Sequence, residues 1–320
     1  MKSQITKSIL FVSILLISAY FVNNQLLKGL RLLETGDFGV WNKVTRGEVN
    51  SQILIIGSSR ALVNFDCDAI IPIVNKTCFN IGLNGVQPYL QLPMLKSYLK
   101  HNKYPELIIQ DLDIKSLLNP GPDIFSPEKY IPYLDDKDIY SKLYMLDNDF
   151  WLNKYIPLYS FGKYGTKLTS PAIKGLFGIK LGLSPIFKNG FERVDLIWKN
   201  DFNKFKKAFP NGITYPLYPN SIKDLEDIIS LAKSKKIKLI LVYPPEYYEN
   251  INLTKNRNEI FDIFKKMAAK YGVPFWDFSA LPITQSTEYF YNSQHLNGKG
   301  AYLFSGIFAE KLKEYLTALN

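Results

Sequence analysis

The run QILIIG at 52–57 limits the architecture of this chain more than any other stretch. A strand that is apolar on both faces belongs in a parallel sheet covered by helices on each side. Comparable runs follow at 76–82, 106–113, 237–245 and 273–279. A helical pattern begins straight after the first run, and others fill the gaps. Residues 87–101 have helical spacing, with Pro93 expected to kink or restart the helix. Residues 222–236 carry Asn220 or Ser221 as a candidate cap, Asp224 and Glu226 in the first turn and lysines at the end. Residues 257–272 end on Gly272, and 298–319 close the chain. The alternation predicts an α/β fold, three layers with five parallel strands in flavodoxin-like order.

Regularity fails from about 114 to 217, which reads as a mostly helical or irregular insertion rather than a separately folding domain. Residues 151–210 supply +8 of the net charge of +10, against three acids, Glu192, Asp195 and Asp201. The same segment is rich in aromatics, among them Trp151, Tyr155, Tyr159 and Trp198. A solvated face over a local aromatic core is the plain reading. An anionic lipid surface or an acidic glycan is the functional one, ahead of nucleic acid. With 47% hydrophobic and 21% charged residues, the chain holds enough apolar material for a full core.

The N-terminus differs from the rest. Lys2 and Lys7 precede SILFVSILLISAYFV at 8–22. With Ile5 and Thr6 the apolar span is about 18 residues, at the short end for a membrane helix. A cleaved signal peptide is the rival, but Ile17 spoils the small-x-small site at Ala19. An uncleaved anchor over 1–24, a linker over 25–50 and a catalytic or binding domain over 51–320 are expected. Lys28 and Arg31 follow the span and weaken the positive-inside signal; export of the bulk of the chain is the expectation.

Cys67 and Cys78 allow either a disulfide or two buried thiols. No cysteine spacing suits zinc, and with two histidines no metal site is expected. Neither GxGxxG nor a P-loop Lys-Ser/Thr pair is present, so no nucleotide or other cofactor is expected.

Ligands in such sheets collect outside the carboxyl ends of the strands. Three features fall there: Gly57-Ser58-Ser59-Arg60, the turn from Asn80 through Gly82 and Asn84 to Gly85, and Asp111-Leu112-Asp113. A serine at a strand-to-helix turn caps the helix, contributes to an anion site, or stands exposed as a nucleophile. A nucleophile needs a base. His101 ends a helix, where a solvated role is expected. His295 lies in the loop before the last helix and reaches the same sheet edge as Ser59.

With these residues in place, the sequence resembles the SGNH (GDSL-like) hydrolase superfamily, in particular its membrane-anchored bacterial branch related to DltD and alginate-type O-acetylation proteins. IIGSSR resembles the nucleophile block, NIGLNG the second block, LIIQDLD the third strand and NSQHLNGKGA the final block. The likeness covers 50–113 and 220–318. It implies Ser59 as nucleophile, His295 as base, and an oxyanion hole from the N–H groups of Ser59 and Gly85, with Gly82 as second choice. It also implies a single-pass protein of a bacterial inner membrane with its globular part outside the cytoplasm. The expected activity is that of a serine esterase or O-acyltransferase acting on cell-envelope glycans, with an integral membrane acyltransferase as a partner.

Two departures stand out. Asn292 occupies the place of the family's aspartate, and no clear asparagine follows the third strand. A neutral amide orients an imidazole without balancing its charge. The consequence is a weaker Ser–His dyad, or a carboxylate borrowed from Asp113 or Asp277. It also sustains the alternative of an inactive scaffold that binds a glycan or an acyltransferase. Arg60 is expected at the surface, or else as an anion contact; Asn84 is a possible accessory.

Overall fold

The computed structural model describes residues 2–119, 124–179, 187–199 and 201–319. Within the expected insertion, 120–123, 180–186 and 200 lie outside the described residues. The chain divides into two compact units, residues 1–43 with 126–184 and residues 44–125 with 185–320. This differs from the expected boundaries. The segment expected as a linker is largely helical, and the expected insertion is shared between the units, because its second part packs into the larger core.

In the smaller unit, α1 (Lys2–Arg31) is a single helix whose apolar run is exposed from Ile5 to Val22. It is long and apolar enough to cross a membrane. Its last turns lie on the helix Thr166–Leu176 at very close range. A Cβ at Gly29 would meet the Ala172 carbonyl oxygen, and one at Gly175 the Gly29 carbonyl oxygen. Only glycines permit that approach. The end of α1 is closed by Asn42, whose Nδ2 donates to Leu30 O at 2.8 Å and Leu33 O at 2.9 Å. Leu30 lies in the last turn of α1 and Leu33 just past it, where carbonyls lack an intrahelical donor, so a side-chain donor serves them.

The larger unit is built on a five-stranded parallel sheet: β1 (Ile53–Ile56), β2 (Cys78–Asn80), β3 (Leu107–Asp111), β4 (Lys238–Tyr243) and β5 (Phe275–Asp277). Their order is β2-β1-β3-β4-β5, the flavodoxin-like order expected. Ile53 faces both Cys78 and Leu107 in register, and Leu241 faces Phe275. Every residue of β1 and β3 is buried, which explains the apolar runs Ile53–Ile56 and Leu107–Ile109; Gln110 and Asp111 are buried polar residues at the carboxyl end of β3.

On one face lie α2 (Ser59–Asn64), α3 (Cys67–Val74) and, at the end of the chain, α7 (Gly298–Ala318). Phe65, Phe304 and Phe308 meet edge to face there, with centroids 5.1–5.3 Å from Phe65. On the other face are α4 (Pro88–His101), α5 (Pro219–Ser234) and α6 (Arg257–Tyr271). Fully burying side chains such as Leu54, Ile108 and Ile228 contributes roughly 1.5–3 kcal/mol each.

Several local expectations are refined. Pro93 sits inside a helix that continues across it, because most of α4 is buried and packing outweighs the lost hydrogen bond. Neither Asn220 nor Ser221 caps α5, which starts earlier, at Pro219; Asp224 and Glu226 therefore fall beyond its first turn. Gly272 does stop α6, with φ of +61°. Cys67 and Cys78 are both buried free thiols.

Candidate active site

The turn at the carboxyl end of β1 separates two neighbouring serines. Ser58 caps α2: its Oγ accepts from Arg60 N at 3.3 Å and donates to Asp113 Oδ2 at 2.8 Å. That leaves Ser59, the first residue of α2, free to project toward the loop before α7. Its Oγ lies 2.7 Å from His295 Nε2.

His295 is held from several sides. Asn292 Oδ1 lies 2.8 Å from ring Nδ1 and also accepts from the backbone N–H groups of Gln294 and His295, each at 3.0 Å. The two backbone donors identify the atom facing the ring as the amide oxygen. An acceptor there keeps the proton on Nδ1 and leaves Nε2 as the acceptor toward Ser59. Tyr291 stacks on the imidazole at 5.4 Å with an interplanar angle of 11°. Leu296 N donates to Asn64 Oδ1 at 3.0 Å, which ties the short strand His295–Leu296 to α2, the helix that carries Ser59.

Burial pushes the His295 imidazolium pKa down to about 4; the charges of Arg60 and Lys115 act in the same direction, and Asp113 opposes them. The ring is therefore neutral at pH 7, the form a general base needs.

Arg60 is not at the surface. Its guanidinium is buried, donates to Pro244 O at 2.5 Å and Pro245 O at 3.2 Å, and lies 4.5 Å from the centre of the Tyr243 ring. It neither points to solvent nor contacts a ligand-accessible space; it anchors α2 to the carboxyl end of β4. Nearby, Tyr243 Oη donates to Glu246 Oε1 at 2.5 Å, Asn250 Nδ2 donates to Glu246 Oε2 at 3.0 Å, and Ser293 Oγ donates to Asn250 Oδ1 at 3.2 Å. Tyr247 N donates to Ser293 O at 3.0 Å. This chain of bonds braces the histidine loop from its outer side.

The two glycines of the second turn differ. Gly82 N donates to Asn80 Oδ1 at 2.9 Å, and Gly82 packs against Ala61 and Leu62. Its N–H is already engaged, so it does not serve as the second-choice oxyanion donor. Gly85 has φ of +69°, and its N–H, like that of Ser59, donates to no acceptor among the described residues. Asn84 is half-buried in the same turn.

Neither carboxylate proposed as a substitute partner touches the imidazole. Asp113 is buried and accepts from Ser58 Oγ, from Gln87 Nε2 at 3.2 Å and from Lys115 N at 2.5 Å. It therefore acts on His295 only through its charge. Asp277 is exposed and accepts from Ser279 N. His101 is exposed in the last turn of α4.

His295 opens onto a cleft of about 490 Å³. Leu196, Ile197, Phe202, Phe205 and Tyr291 give it an apolar wall, with Lys115 and Lys199 as cations and Asp201 as an acid. Part of the stretch expected to be an insertion thus lines the cleft. Sequence reasoning missed Asn64, Glu246 and Asn250. The only sequence signal for Asn64 was a polar residue inside an otherwise apolar helix, LVNF, directly after the serine turn.

No protein-family model matches the sequence, and no curated protein matches it. Solved structures that resemble the chain include the following three. One is a provisionally assigned acylhydrolase from Bacteroides fragilis, at 13% identity and a TM-score of 0.37, covering 82% of this chain and 87% of that one. Another is a structure provisionally named as a platelet activating factor from Streptococcus pneumoniae, at 15% identity and 0.42, covering 97% and 99%. The third is a GDSL-like lipase from Bacteroides thetaiotaomicron, at 12% identity and 0.38, covering 85% and 98%. At these identities and scores the likenesses carry no inference about chemistry, which rests on the geometry of this chain.

Proposed function

We propose that this chain is a serine esterase or O-acyltransferase. The observation that carries the reading is the 2.7 Å contact between Ser59 Oγ and His295 Nε2, with the opposite ring nitrogen held by Asn292 Oδ1. His295 Nε2 takes the hydroxyl proton as Ser59 Oγ attacks the ester carbonyl carbon. The oxyanion that forms accepts hydrogen bonds from the otherwise unpaired N–H groups of Ser59 and Gly85. One such donor is worth roughly 3 kcal/mol in the transition state. His295 then protonates the departing alcohol, and the acyl group on Ser59 passes to water or to a sugar hydroxyl. The apolar wall of the cleft suits an acyl chain, and its lysines suit an acidic glycan. With α1 in a bacterial inner membrane and the larger unit outside the cytoplasm, O-acyl groups of envelope glycans become the substrates, and an integral membrane acyltransferase a suitable partner.

Labelling with a serine-directed fluorophosphonate tests this. The wild-type chain and Ser58→Ala take the label; Ser59→Ala does not. Asn292 favours a second reading, a scaffold that retains the fold, because a neutral amide does not stabilise the imidazolium. Absence of labelling under conditions that label a control esterase would establish that reading in place of the first.

A further inference from the structure

The smaller unit carries an exposed aromatic cluster that the proposed chemistry does not use. The rings of Tyr144, Tyr140, Tyr155 and Trp151 form a continuous chain, with successive centroids 5.9, 6.1 and 5.5 Å apart. Trp151 is 45% exposed, Tyr155 52% and the adjoining Ile156 43%. Lys154 Nζ lies 3.9 Å from the centre of the Tyr140 ring. Contiguous exposed aromatic surface of this kind marks interaction sites.

Its position relative to α1 identifies what interacts here. The apolar run of α1 ends at Val22, and the next residue, Asn23, accepts from Leu158 N through Oδ1 at 3.0 Å. Leu158 follows Ile156 by two residues and Tyr155 by three. The loop that follows the helix Phe150–Tyr155, which carries Trp151 and Tyr155, is therefore fastened to α1 at the level where its apolar run stops. From Ile5 to Val22 a helix rises about 27 Å at 1.5 Å per residue. A bilayer core is roughly 30 Å thick, so a short span draws its flanking residues down into the headgroup layer. The first charge after the span is Lys28, and Asn23 to Leu27 are uncharged.

We infer that the helix Phe150–Tyr155 and the loop after it lie in the headgroup layer of the membrane that α1 spans. Trp151, Tyr155 and Ile156 enter the boundary with the acyl chains, and Lys154 faces lipid phosphates. Tryptophan and tyrosine favour this layer because one end of each ring system is apolar and the other wet. The smaller unit thus has a second membrane contact besides α1, which restricts its rotation about the helix. The inference rests on α1 as a membrane-spanning helix.

The test uses the full chain in vesicles of phosphatidylcholine and phosphatidylglycerol whose acyl chains are brominated close to the headgroup. Trp41 and Trp276 are buried and Trp198 is half-buried, so comparison with Trp151→Phe isolates the share of the emission lost to these lipids that comes from Trp151. Quenching of the wild type that is largely lost in Trp151→Phe is the expected result. Equal quenching in both proteins, or none in the wild type, overturns the inference when α1 still resists alkaline carbonate extraction. Release of the chain by carbonate is a distinct failure, of the membrane-spanning reading itself, and the inference falls with it. A change in Trp151 emission on adding soluble alginate, with no response to brominated lipid, would make the cluster a carbohydrate surface and also overturn it.

Discussion

The Asn292 amide oxygen accepts three N–H groups, two from the backbone and one from the His295 ring. It supplies the positional half of what a carboxylate does in a serine–histidine site, and none of the charge. The consequence is readable as a pH profile. Burial pushes the His295 pKa down to about 4, and in the proposed reaction the neutral ring is the base. Hydrolysis of a soluble ester such as p-nitrophenyl acetate is expected to hold steady in kcat/KM through neutral and mildly acidic pH, and to fall as pH drops through about 4. Asn292→Asp places a negative charge beside ring Nδ1 and favours the imidazolium. Its acid limb is expected to move up by about 1–3 pH units, with a higher turnover above it. A limb that stays in place in Asn292→Asp would mean that the ring is held by something other than residue 292.

Among the elements, α2 and the short strand His295–Leu296 form the joint on which the site depends. One helix carries Ser59, and the strand it holds carries His295. Asn64 makes the connection, its side chain buried and accepting the Leu296 N–H. Asn64→Ala leaves that N–H buried without an acceptor, at a cost of about 1–3 kcal/mol. A lowered denaturation midpoint is expected in urea, together with a fall in kcat larger than the change in KM, since the loosened strand displaces the base rather than the substrate. Asn64→Asp keeps the acceptor oxygen and is expected to recover part of both. Equal loss in the two variants would show that the amide's other contacts, not the bond to Leu296, matter at this position.

For the whole molecule, the decisive feature is a helix whose apolar run is exposed among the described residues. Leu15 and Leu16 lie within that run, and both are exposed. An arginine at the centre of a membrane helix costs about 3 kcal/mol on insertion scales. The double variant Leu15→Arg, Leu16→Arg is expected to move from the carbonate-resistant membrane fraction to the soluble fraction. The larger unit folds on its own sheet, so fluorophosphonate labelling of Ser59 is expected to survive. Retention of the double variant in the membrane would indicate an attachment that does not depend on α1.

The sequence by itself determined the order of strands and helices and the five-strand parallel sheet, because unbroken apolar runs and helical spacing are local patterns read over a few residues. It also brought Ser59 and His295 to one sheet edge, since histidines are scarce here and the topology leaves them few places to go. What only the tertiary structure decided depends on atoms distant along the chain. Ser58 rather than Ser59 became the cap because Asp113 waits for its hydroxyl. Arg60 was drawn inside because the Pro244 and Pro245 carbonyls, some 185 residues away, need a donor. The division into two units was hidden for the same reason. Residues 126–184 belong with the N-terminal helix, and a stretch of sequence does not record which distant surface will bury its apolar face.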